Sequence, residues 1–83
     1  MELLKEGRYA KVLEACEQAI KIDPDYALTR YGKGITLHHL GRYEEALQAY
    51  EQAIKIDPDD VDTWMALELL FYGEEGNAAI VAA

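Results

Sequence analysis

The residues in this chain whose types could do chemistry are a cysteine, two adjacent histidines and two pairs of carboxylates. Cys16 is the only cysteine, so no internal disulfide can form. A lone thiol becomes a nucleophile when a cation or a histidine lowers its pKa, and nothing in the sequence places one beside it. A buried structural thiol is the reading this predicts. His38 and His39 are neighbours. On a helix, adjacent residues point roughly 100° apart, whereas a helical zinc site needs a spacing such as i, i+4. They are expected to be solvated or groove-lining rather than metal ligands. Glu44–Glu45 and Glu74–Glu75 could serve as acid and base only in a pocket that drives their pKa values apart. They read as exposed helix and loop charges. No nucleophile–base pair, phosphate loop or ligand spacing is present, so the chain is expected to be a non-enzyme without metal or cofactor.

The elements that carry these residues follow from a repetition. Glu17 to Asp25 reads EQAIKIDPD, and the same nine residues return at Glu51 to Asp59, at an offset of 34. At that offset Leu3, Gly7, Arg8, Tyr9, Leu13 and Ala15 match Leu37, Gly41, Arg42, Tyr43, Leu47 and Ala49. Tyr9, Val12, Leu13, Cys16, Ala19 and Ile20 share one helical face, and Tyr43, Ala46, Leu47, Tyr50, Ala53 and Ile54 reproduce it. Each helix should stop at Asp-Pro-Asp, because proline lacks an N–H and disfavours helix in the residue before it. Asp25 can cap the helix that follows, Tyr26 to Leu40. Gly32 and Gly34 cost that helix about 1 kcal/mol each relative to alanine, which suggests that a neighbouring backbone comes close. Gly7 and Gly41 can each end a helix. The last confident helix is Asp60 to Tyr72, apolar nearly all round, and Gly73 to Asn77 reads as a break before a short apolar tail.

A period of 34 and the order Gly34, Gly41-Arg42-Tyr43, Ala46, Tyr50, Ala53 and Pro58 resemble the tetratricopeptide repeat (TPR) family over residues 1–72. The resemblance implies an all-α fold, an α-solenoid of antiparallel helix pairs in a right-handed superhelix, with about two repeats and a terminal helix. Residues 1–25 would be a partial first repeat, 26–59 a complete one, 60–72 a terminal or capping helix and 73–83 a tail. The sequence departs from the family pattern at three places. Arg30 stands where an early aromatic is usual, a place that Trp64 holds in the last repeat, Val12 stands where Ala46 fits, and Glu68 where Gly34 fits.

The resemblance also implies a concave groove lined by the first helix of each repeat. By register its residues are Leu28, Tyr31, Ile35, His38, His39, Asp62, Met65, Leu69 and Tyr72. An apolar surface of that kind marks a protein or peptide partner; the alternative is that Tyr31, Ile35, Met65 and Leu69 pack in a small core. The Lys, Asn and Arg side chains with which one TPR subgroup grips a C-terminal carboxylate are replaced here by Gly32, Asp62 and Ala66, so that ligand is not expected. Unfinished terminal repeats suggest a second function, self-association through Trp64, Leu70 and Phe71 into a homo-oligomer.

Composition bounds the rest. The chain carries 16 acidic against 8 basic residues, a formal charge of −8. It should repel phosphate, which argues against nucleic acid and anionic membrane as partners. No apolar run is long enough to span a membrane, and MELLKEGRYAK is not a secretion signal. A cytoplasmic setting is expected by elimination.

Overall fold

The computed structural model describes residues 2–82, with side-chain detail for residues 6–71. Tyr72, Glu74 and Glu75 therefore lie outside the residues whose side chains are described. The chain forms four helices: α1 (Glu2–Ile22), α2 (Ala27–His39), α3 (Tyr43–Ile56) and α4 (Val61–Ala82). Among the described residues there is no strand.

Both Asp-Pro-Asp turns form as the sequence requires, and they are nearly superimposable in their hydrogen bonds. Asp23 Oδ1 accepts the Asp25 N–H at 3.3 Å, and Asp57 Oδ1 accepts the Asp59 N–H at 3.2 Å. Asp25 is therefore not the cap of α2. That place falls to Tyr26, which offers no side-chain acceptor. Its register partner Asp60 does: Oδ1 accepts the Asp62 N–H at 3.1 Å and Oδ2 the Thr63 hydroxyl at 2.9 Å. The second turn thus satisfies a backbone donor at the start of α4 for which the first turn supplies no side-chain acceptor at the cap.

Gly41 closes α2 in the left-handed conformation, with φ 78°. The Gly41 N–H donates to His38 O at 3.0 Å and the Arg42 N–H to Leu37 O at 2.9 Å, the pairing of a Schellman motif. Gly7 does not act likewise. It sits inside α1 with nothing near its Cα, and the helix passes through it. No packed neighbour demands a turn there, and the flanking Glu6 and Arg8 favour helix. Nor does the backbone break at Gly73–Asn77, which falls within α4. That stretch has no proline, so its two glycines weaken the helix without forbidding it.

α2 is the centre of the packing and touches α1, α3 and α4, whereas among the described residues α1 touches α2 alone. The core joins Leu13 of α1, Leu37 of α2, and Ala46, Ala49 and Tyr50 of α3. Ala46 and Ala53 are fully buried, small enough to let α2 approach α3. The Tyr50 ring lies directly on Gly34, so the close neighbour that excludes a side chain is a ring and not a backbone. A Cβ added at Gly32 would meet only Cys16 Sγ, at an ordinary contact distance of 3.9 Å. Gly32→Ala should then raise stability by up to about 1 kcal/mol through helix propensity. A urea midpoint lower than that of the parent chain would contradict it.

Two residues expected on the core face lie outside it. Val12 is 47% exposed, because α1 packs on one neighbour only, and Tyr43 is 57% exposed at the start of α3. α4 buries one side alone. Ala66, Leu67 and Leu70 pack toward the core, while Val61, Trp64 and Phe71 stay exposed.

Candidate functional site

On α2, Tyr31, Ile35, His38 and His39 recur at i, i+4, i+7 and i+8, and on α4, Asp62, Met65, Ala66 and Leu69 recur at i, i+3, i+4 and i+7. Each set is one helical stripe. The two stripes face each other across a groove of about 360 Å³, and Tyr50 of α3 lies between them. Met65 and Leu69 remain 57% and 63% exposed along one wall, whereas Tyr50 is 1% exposed. Most of the residues placed by register in a concave groove are therefore brought together. Leu28 is exposed but does not line it. Tyr50 and Ala66 do line it. Tyr50 was legible only as a core residue of α3, although a side chain long enough to reach past the core can also serve a groove.

The groove is aromatic at one end. Tyr9 stacks on His39 with ring centroids 5.0 Å apart and planes 6° from parallel. His38 lies 5.9 Å from His39 and meets Tyr43 edge-on at 5.5 Å. This row links the middle of α1 to the end of α2 and the start of α3. The imidazoles pack on phenols, and among the described residues no group of three or more His, Cys, Asp or Glu could hold a metal ion. Deeper in, Tyr31 and Tyr50 are tilted by 40° with centroids 6.2 Å apart. Burial, with a smaller contribution from Tyr31, pushes the Tyr50 phenol up to about 12. Tyr50 is therefore a neutral hydrogen-bonding group at any physiological pH.

The other reactive types are occupied differently. Burial raises the Cys16 thiol pKa, and Lys33 of α2 offsets part of that rise. The fold thus brings Cys16 a cation from another helix that the local sequence did not show, yet desolvation outweighs it. Cys16 should react with iodoacetamide more slowly than free cysteine at pH 8. A rate equal to or above that of the free amino acid would show an activated thiolate instead. Glu45 is bound by Arg42, whose Nη2 donates to Oε1 at 2.9 Å and whose Nε donates to Oε2. This pairing holds the Glu45 carboxyl below the usual range, the wrong direction for a general acid.

Trp64 and Arg30 occupy matching places and do the same thing: Trp64 Nε1 donates to Pro58 O at 2.7 Å and Arg30 Nε to Pro24 O at 3.3 Å. The usual aromatic is thus dispensable wherever another long donor can reach the turn. Trp64, Leu70 and Phe71 do not form one surface. Leu70 packs toward the core, while Trp64 and Phe71 are 45% and 63% exposed. The spacing explains this, since Ala66, Leu67 and Leu70 form the inner stripe and Trp64, Glu68 and Phe71 the outer one.

On the far side of the molecule a second cleft runs between α1 and α3, bordered by Glu17, Arg30, Lys33, Arg42 and Glu45. It is polar and carries both signs of charge. Among the described residues, no helix is long and apolar enough to cross a membrane. The tetratricopeptide repeat family model matches residues 3–70. No curated protein matches the chain.

Proposed function

The chain belongs to the tetratricopeptide repeat family, and on that premise we propose that it is an interaction module that holds a peptide or helix of a partner protein between α2 and α4. Repeats of this family generally mediate protein–protein interaction and are typically non-catalytic. The observation that carries the reading is the convergence of Tyr31, Ile35, Met65 and Leu69 from two helices on one open groove. An exposed apolar surface of this kind gains by burial against a partner. The test is a selection of displayed peptides against the chain, followed by measurement of their affinity for the double variant Tyr31→Ala, Met65→Ala. Affinity should fall about tenfold or more, since each side chain removed carries on the order of 1 kcal/mol of contact. Helical content by circular dichroism should be unchanged. A well-folded double variant that binds the selected peptides as before removes this groove from the reading.

A second reading, self-association, is favoured by a different observation. Phe71 is the register counterpart of Leu37, and Val12 of Ala46, yet the first of each pair is exposed and the second buried. These outer faces are candidates to cover one another between copies. The mass by light scattering should then exceed that of the monomer and fall for Trp64→Lys, Phe71→Glu. A monomer at high concentration would count against it.

A further inference from the structure

We propose that the groove between α2 and α4 takes a cationic amphipathic segment, with apolar side chains on Ile35, Met65 and Leu69 and a lysine or arginine against Asp62. This rests on the groove being the interaction site. The charge argument is independent of it. Among the described residues that line the groove, Asp62 is the only Asp, Glu, Lys or Arg. Its carboxylate is exposed, and among the described residues it takes part in no ion pair or side-chain hydrogen bond. The backbone beneath it is held in place, because the Asp62 N–H is bound by Asp60 Oδ1. The charge is thus presented at a defined position with nothing opposite it.

Among the described residues no lysine or arginine lines this groove, whereas Arg30, Lys33 and Arg42 all border the second cleft. Two of those three are engaged, Arg42 by Glu45 and Arg30 by the Pro24 carbonyl. Among the described residues, the groove thus carries a carboxylate and no Lys or Arg, whereas the other cleft carries both signs. A net charge of −8 adds a long-range field that attracts cations and repels acidic segments. Tyr31, only partly buried, adds an aromatic ring, which attracts ammonium and guanidinium groups. Apolar walls supply burial and the single carboxylate supplies orientation, a combination that discriminates by charge at little cost in affinity.

Three labelled synthetic peptides of equal length test this by fluorescence anisotropy against the whole chain. One carries leucine and phenylalanine anchors at helical spacing with flanking lysines. The second has the same anchors with glutamates. The third keeps the lysines and replaces the anchors with serine. The first should bind about tenfold tighter than the second at low salt, with the gap narrowing as salt is added. The third should bind weakly. Asp62→Asn should reduce the preference for lysine about threefold without weakening the glutamate peptide. Equal binding of the first two, both lost in Tyr31→Ala, Met65→Ala, would overturn the charge assignment and leave the groove standing. Binding of the third as tight as the first would mean diffuse attraction and would also overturn it. Unaltered selectivity in Asp62→Asn would remove the anchor. No binding by any peptide, with a mass twice that of the monomer, would mean that a second copy fills the groove, and both proposals would fall.

Discussion

Gly34→Ala should cost the fold roughly 2 kcal/mol, the net of an overpacking penalty and a helix-propensity gain of about 1 kcal/mol. A Cβ built at Gly34 would lie 2.5 Å from Tyr50 Cδ1 and closer still to Cε1. No contact survives at that distance, so the ring or the helix must move. The ring has nowhere to go: Tyr50 is 1% exposed and belongs to the same core cluster as Leu13, Leu37, Ala46 and Ala49. For an 83-residue chain with total stability of about 4–12 kcal/mol, the urea midpoint should drop clearly, as followed by circular dichroism. The companion change distinguishes cause from coincidence. With Tyr50→Leu already present, the added methyl meets a smaller, non-planar side chain, and Gly34→Ala should then cost much less. That non-additivity is the signature of a direct contact. Equal costs in both backgrounds, or no cost at all, would mean that α2 and α3 are not packed as described.

The same pair illustrates which parts of the fold could be read in the sequence. Gly34 marked a close approach in the sequence because glycine weakens a helix, but that the neighbour is the Tyr50 ring and not a backbone came only from the structure. The two Asp-Pro-Asp stops were legible for the equally local reason that proline cannot continue a helix. The groove-lining set rested on the family resemblance, because periodicity alone does not say which face of a helix is concave. What was not legible depends on contacts between distant residues. Gly7-Arg8-Tyr9 and Gly41-Arg42-Tyr43 are identical triplets, yet one lies inside α1 and the other ends α2. The difference is that α3 must fold back onto α2 after Gly41, while nothing after Gly7 requires a turn. Likewise Asp25 does not cap α2, because the cap place falls one residue later, on Tyr26, whose register partner Asp60 does bond the start of α4. Cys16 gained Lys33 as a neighbour from another helix. Leu70, which looked like surface on a helix apolar nearly all round, belongs to the stripe that faces the core. Composition alone cannot orient such a helix.

Leu37→Ala and Phe71→Ala make the sharpest comparison, because the two residues occupy the same place in successive repeats and differ in what covers them. Leu37 is 1% exposed in the core cluster that joins α1, α2 and α3. Its truncation should cost about 3 kcal/mol, the sum of lost burial and the cavity left behind. The loss should also be uneven. Among the described residues α1 packs on α2 alone, so thinning the α2 core should raise hydrogen exchange in α1 ahead of the rest of the chain. Phe71 is 63% exposed on the outer stripe of α4, and its truncation should change stability by less than about 0.5 kcal/mol. Both values follow from urea unfolding of dilute protein. A cost for Phe71→Ala near that of Leu37→Ala would require its ring to be buried in solution. The only way to bury it without disturbing α2 and α3 is to cover the outer face of α4. The size of that one number therefore tells whether the outer stripe of α4 is open to solvent or already occupied.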